Sequence, residues 1–323
     1  MIRFDERDTI FARMAYRPGS WQYEDYYSKH PERKTVDDTL LRLPELCSEN
    51  SRFYDPLKCA IVDGNFSLLS GLHPLAESIP SRFATKFLTN DLSKTVKILL
   101  TDFGAEDVRI TRMREEFYYS HRGRHPQHYG EPIERFMPYG VVFSVAMDKK
   151  MISAAPDLDE MIESSTAYVR AAMAGLLLSS FISRLGYSAR THMDGNYLAV
   201  LPLVAESAGL GVFGRSGLLI THDSGPAVKL GLVTTDLPLQ LDSPLEVDLE
   251  KFCEECRRCS DRCPSSAIPK GNKKDILGIR RWQINSERCY SFWRKVGTDC
   301  GLCIKHCPFP DEVTLHDFLN DSG

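Results

Sequence analysis

The chain has 323 residues, 42% of them hydrophobic and 26% charged, the balance of a globular protein with a real core. Its net charge of −4 hides a split: Lys251 to Cys307 carries 13 Lys and Arg against six Asp and Glu, net +7, so the remainder stands at −11. No basic run is interleaved with aromatics, which argues against a nucleic-acid partner, and the longest apolar stretch, Ala171 to Ile182, reads as too short to cross a bilayer.

The opening, MIRFDERDTIFAR, is charged from its third residue. It has neither an apolar export core nor a twin-arginine pair, so a cytoplasmic, reducing location is expected. The first hundred residues mix short helical patterns with Pro and Gly breaks, and Ser93 to Leu100 reads as a short helix or strand. Tyr139 to Met147 (YGVVFSVAM) is rich in Val and Phe and predicts a buried strand. Leu158 to Leu185 predicts the longest helix, opening after Pro156 and Asp157 and closing before Gly186. Asn196 to Val204 (NYLAVLPLV) reads as another strand. A Gly-rich turn, AGLGVFGRSG, leads to strands at Leu218 to Thr221 and Lys229 to Thr235. Helices and strands alternate without a regular βαβ period, which predicts an α+β fold. Leu237 to Asp248, with two prolines, reads as a linker. The expected division is a body over residues 1–248, a cysteine-rich module over 249–310 and a tail over 311–323.

Eight of the ten cysteines form two runs. The first is Cys253, Cys256, Cys259 and Cys263, followed by Pro264; the second is Cys289, Cys300, Cys303 and Cys307, followed by Pro308. Three cysteines at two-residue gaps can take three corners of an iron–sulfur cube, and in two-cluster ferredoxins the fourth cysteine of each run ligates the other cluster. That rule assigns Cys253, Cys256, Cys259 and Cys307 to one 4Fe–4S cluster and Cys263, Cys289, Cys300 and Cys303 to the other. Structural zinc needs neither the third closely spaced cysteine nor the trailing proline, and disulfides are unexpected in a reducing compartment. Cys47 and Cys59 are left without a role. The basic module suits an acidic electron donor such as a ferredoxin or flavodoxin.

A two-cluster module leaves some 250 residues unexplained. The segments AESAGLGVFGRSGLLITHDSGPAVKLGLVTTDLPL and FCEECRRCSDRCPSSAI resemble corrinoid-dependent reductive dehalogenases, as do CYSFW, CGLCIKHCP, YSHRG and VVFSVAMD. The resemblance implies a nitroreductase-like α+β domain that binds cobalamin or a related corrinoid, followed by a ferredoxin-like domain. It implies two-electron removal of halide from an organohalide. No D-x-H-x-x-G pattern supplies a lower histidine ligand, so base-off binding fits. Gly209, Gly211, Gly214 and Gly217 in the turn, with Arg215, would let backbone approach the corrinoid, and His121 and Arg122 of YSHRG would line the pocket.

The family's proton donor is a tyrosine, matched here by Tyr168. Lys229 matches its basic neighbour and Asn196 the asparagine near the substrate. A free tyrosine titrates near about 10, and an adjacent cation favours proton release. Respiratory members carry an export signal and pair with a membrane anchor, neither of which this sequence suggests. Two other functions fit less well. One is epoxyqueuosine reduction, whose GRDYH-like and GxIGKN stretches are replaced by GRHPQHYG and GVFGRSG. The other is a non-catalytic role in corrinoid handling or electron transfer.

Overall fold

A computed structural model of the chain describes residues 3–81, 89–276 and 279–319. Among them the strands are, in chain order, β1 (Glu77–Ser78), β2 (Asp107–Arg112), β3 (Tyr139–Ala146), β4 (Ala189–His192), β5 (Gly211–Phe213), β6 (Leu219–Thr221), β7 (Val228–Thr235), β8 (Lys274–Ile276) and β9 (Ile279–Arg281). Five of them make one sheet in the order β1-β4-β7-β3-β2, with every neighbouring pair antiparallel. Hairpins β5–β6 and β8–β9 stand apart from it.

The long helix, Leu158–Arg184, covers one face of the sheet. The Asp157 side chain caps its N-terminus by accepting from the Leu158 amide at 2.6 Å, and Gly186 at φ 89° follows its end. Small residues on its inner face let it lie close to the strands. A Cβ at Gly175 would stand 2.6 Å from the Thr191 methyl on β4. Leu178 and Ile182 are fully buried with Phe143 and Val233, each such burial stabilising by roughly 1.5–3 kcal/mol. Phe143 on β3 pairs in register with Gly231 on β7, and its ring fills the place where a side chain would stand, 2.2 Å from a Cβ built there. The 27-residue helix is long and apolar enough to span a membrane by length and composition, unlike the shorter run of residues read from the sequence; here half of that window is buried in the protein.

The opposite face packs on helix Leu201–Ser207 and on Met113, Phe117, Tyr118 and Ile133. This corrects the expected strand at Asn196 to Val204. Pro202 has no amide to give a sheet but fits the first turn of a helix, and Leu201, Val204, Ala205 and Ala208 recur at helical spacing and are buried. The ambiguous stretch Ser93 to Leu100 lies within helix Thr89–Asp102.

The supposed linker is no loose tether. Leu237 and Leu239 are in the core, and the Asp242 carboxylate accepts from the Ile110 amide on edge strand β2 at 2.8 Å. The tail is also docked. Leu315 is fully buried with Val212, Ile220, Trp282 and Phe309, and Phe318 packs beside it. Tail residues 320–323 lie outside the described residues. Helix Ser286–Val296 fastens the module to the N-terminal segment, since Arg294 donates to the carbonyls of Leu41, Leu43 and Pro44, the last at 2.6 Å.

Candidate functional site

The cysteines fall into two neighbouring cages. Cys253, Cys256, Cys259 and Cys307 surround one narrow void with Gly214 and Arg215. Cys263, Cys289 and Cys300 all act electrostatically on Cys303, as does Cys259 from the first cage. The chain turns sharply at non-glycine residues to do this: Arg257 at φ 51° and Cys300 at φ 64° are in the left-handed region. Burial, then crowding by neighbouring thiols, pushes Cys259 and Cys289 up to about 11 and Cys303 higher still. Cys300 and Cys307 go up to about 12, chiefly through burial. Cys263 moves the other way: burial opposes ionisation, but the Ser265 hydroxyl and the amides of Ala267 and Ile268 favour its thiolate. Buried thiols packed this densely suit a cationic iron core that would hold them as thiolates. Among the described residues no three His, Cys, Asp or Glu side chains converge on a single ion, and a cube keeps its thiolates farther apart than one ion does.

Above the second cage lies a two-lobed cavity. The larger lobe is about 940 Å³, the smaller about 300 Å³, and both are lined by Phe11, Arg124, Tyr168, Asp194 and Lys229. Tyr168 comes from the long helix and Lys229 from β7. The Lys229 ammonium stands 4.4 Å from the Tyr168 ring centroid. Burial disfavours the ammonium, but Tyr168, Asp299, Glu160 and Asp194 outweigh it and hold Lys229 above the usual lysine range. Lys229 is only half-buried because its free side meets the cavity rather than bulk water. Glu160, almost fully buried below, is pushed well above the carboxylate range by burial and by Asp299. Tyr290, Trp293 and Asp299, from the chain that carries Cys289 and Cys300, line the larger lobe, so the second cage abuts the cavity.

Other predicted site residues are used differently. Asn196 is buried and does not line the cavity. Its side-chain oxygen accepts from Arg122 and from Arg190, each at 2.8 Å, and its amide donates to the His73 carbonyl at 3.4 Å. Arg122 is therefore a brace, and His121 meets Ser120 and Asp5 outside the cavity lining.

The Gly-rich turn serves mainly to dock the cluster module. Gly209, at φ 79°, lets Ser243 to Leu245 pass close by, and Gly211 and Gly214 make room for Ile220. Arg215 is buried and donates to the carbonyls of Cys253, Pro269 and Gly271 at 2.7–2.8 Å while lying over the Trp282 ring. Only Gly217 of this set reaches the cavity, in the smaller lobe.

The sequence reading missed Arg124 and Asp194, which pair through two bonds at 2.8 and 3.1 Å, and Tyr197, raised well above the tyrosine range by burial and by Asp194. It also missed His73 and His125 on the larger lobe; burial, with Arg122, His128 and His73, lowers His125 to about 4. Asp194 and Tyr197 flank Asn196, and Arg124 lies two residues beyond Arg122, so the motifs chosen lie on loops that line the cavity through neighbouring side chains.

Buried cysteine cages beneath a deep cavity define a two-cluster iron–sulfur protein with a site for a large ligand. Residues 252–310 match the family described as a 4Fe-4S dicluster domain. The chain is 33% identical over 185 residues to a tetrachloroethene reductive dehalogenase from Sulfurospirillum multivorans, spanning 55% of this chain and 36% of that protein. Its fold matches the solved catabolic reductive dehalogenase NpRdhA in complex with 3-bromo-4-hydroxybenzoic acid, with a TM-score of 0.76 and 26% identity over 98% of this chain and 43% of that one. A shorter likeness, 38% over 120 residues, is to the epoxyqueuosine reductase of Staphylococcus aureus, covering 32% of this chain and 28% of that protein. In sequence and in fold the chain is thus similar to reductive dehalogenases, and it spans little more than a third of the first relative's length.

Proposed function

We propose that the chain is a corrinoid- and iron–sulfur-dependent reductase that replaces the halogen of an organohalide with hydrogen, on a nitroreductase-like scaffold. One observation carries this reading: a phenol and an ammonium face each other where the two lobes join, directly beside the second cysteine cage. Reductive dehalogenation takes up two electrons and one proton and releases halide. The larger lobe has the size for a macrocycle, and Tyr168, Lys229, His73 and Trp293 are among the residues that would hold one. When bound, the corrinoid supplies the low-valent metal centre at which the carbon–halogen bond is cleaved. Base-off binding is part of the proposal, since His73 is bonded to the Asp194 carbonyl.

The protein's own groups do the rest. Tyr168 gives its hydroxyl proton to the carbon that loses halide, and Lys229 neutralises the charge left on the phenol oxygen. Phe11, Leu46, Phe66 and Trp293 keep water from the lobe. In the smaller lobe Arg124 is matched by Asp194, and Glu6 accepts from the Gly123 and Arg124 amides, which leaves Lys229 to face Tyr168 and the substrate. Electrons would enter at the first cage from an acidic one-electron donor, drawn by the net +7 of the module, and leave by the second.

The test is metal content after anaerobic expression with cobalamin supplied, followed by halide release from chlorinated and brominated aromatics and aliphatics. About one cobalt and eight irons per chain, with halide released, is the expected result. Eight irons without cobalt would sink the corrinoid reading and leave an electron carrier.

A further inference from the structure

Cys47 and Cys59 have no part in the cages or in the proposed chemistry, yet they are neighbours, the Cys59 thiol being the side chain that acts most on the Cys47 thiol. Cys59 is buried on helix Pro56–Leu72, and Cys47 is half-buried in the preceding irregular segment, where it adopts a left-handed φ of 55°. That conformation is unusual for a residue with a side chain. It is held from outside the segment: the Cys47 amide donates to the Gly297 carbonyl at 3.0 Å, and the Phe53 amide to the Val296 carbonyl at 3.0 Å. The Cys47 sulfur also lies 3.7 Å from the Met161 sulfur on the long helix.

We propose that Cys47 and Cys59 are a dithiol–disulfide site, an oxidisable staple in the cavity wall. Its location gives the staple an effect. Leu46 lines the larger lobe on one side of the pair, and Phe66, Leu69 and Ser70, from the helix of Cys59, line it on the other. The segment that carries Cys47 is anchored to the end of helix Ser286–Val296, which bears Cys289. A bond between the two sulfurs would tie the helix on one side of the lobe to the segment fixed on the cluster-bearing helix.

In the reduced state burial, with the Cys59 thiol beside it, pushes Cys47 well above the usual thiol range, so the sulfurs meet without charge repulsion. The half-buried Cys47 is the sulfur that an oxidant reaches, and the buried Cys59 resolves the mixed disulfide. The step balances with a small-molecule disulfide as oxidant. The two thiols lose two protons and two electrons and form one sulfur–sulfur bond, while the oxidant's own bond is reduced to two thiols.

The experiment uses the iron-loaded protein, kept anaerobic and equilibrated with mixtures of oxidised and reduced dithiothreitol. Free thiols are alkylated, the protein is digested without reductant, and iron is measured in parallel. The expected result is a cross-linked peptide joining Cys47 to Cys59, lighter by two hydrogens than the reduced pair, at unchanged iron content. In Cys47→Ser it disappears and Cys59 is alkylated. The inference is overturned if both cysteines stay alkylatable at every ratio, or if either is found joined to a cysteine of the cages. Both readouts are independent of dehalogenation, so the site stands or falls apart from the proposed activity.

Discussion

The cluster module and the cavity above it are built on opposite plans. The module's eight cysteines come from two short runs, and the chain turns needed to gather them are local, at Arg257, Cys300 and Gly301. The cavity draws Phe11, Arg124, Tyr168, Asp194 and Lys229 from five separate segments, so no short motif encodes it. A site made of neighbours in sequence is set by spacing, whereas a site made of distant residues is set by the sheet and helix that bring them together. Changes to the module should therefore fail outright, and changes to the cavity should alter rates in a structure that survives.

The largest expected effect is in the module. Cys303→Ser removes a ligand from the second cage, and iron should fall from about eight to about four per chain with electron delivery lost; iron and sulfide assays check this. In the cavity, Tyr168→Phe deletes one oxygen and should lower turnover about 10²–10⁴-fold while cobalt and iron are retained. Full turnover with a proven substrate would remove Tyr168 from the mechanism. Arg215→Ala tests the joint between the two plans. Losing a buried cation that holds three carbonyls should destabilise the module by about 2–4 kcal/mol, read by urea unfolding followed through cluster absorbance.

Asn196→Ala should cost about 1–3 kcal/mol, because Arg122 and Arg190 lose a shared acceptor. Its KM should be unchanged; a large rise in KM at full stability would return Asn196 to the substrate site. The smallest effect is one of pH. His125 stays neutral in the folded protein down to about 4, whereas the unfolded chain takes up that proton near about 6.5. Stability should therefore decline as pH falls through that window, and His125→Gln should flatten the decline in a thermal melt.

What could be read beforehand follows the same division. Strand β3, the long helix and strand β7 were legible because their apolar patterns run continuously through the core. Helix Leu201–Ser207 was misread because its seven residues are too few for a helical period to stand out against the strand-like NYLAV before it. Tyr168 and Lys229 were reached through the family resemblance, and the structure brings them together. Asn196, Arg122, His121 and most of the Gly-rich turn were reached in the same way and are used for bracing. Polar residues that line a site and those that stiffen it are alike in sequence, and only their hydrogen-bond partners separate them. Asp194, Arg124 and Tyr197 left no periodic signal at all.

The grip of Arg294 on three carbonyls of residues 41–44 has a consequence for biogenesis. The helix that carries this guanidinium also carries Cys289, so the N-terminal segment docks on an element whose own placement depends on a metal ligand. A chain synthesised under iron starvation would lack that anchor, and the wall formed by Phe11, Ala15, Arg17 and Leu46 would have nothing to close against. Maturation should then be ordered, with iron–sulfur insertion first and the large ligand captured afterwards. A shortage of iron would be felt first as a failure to retain the second cofactor.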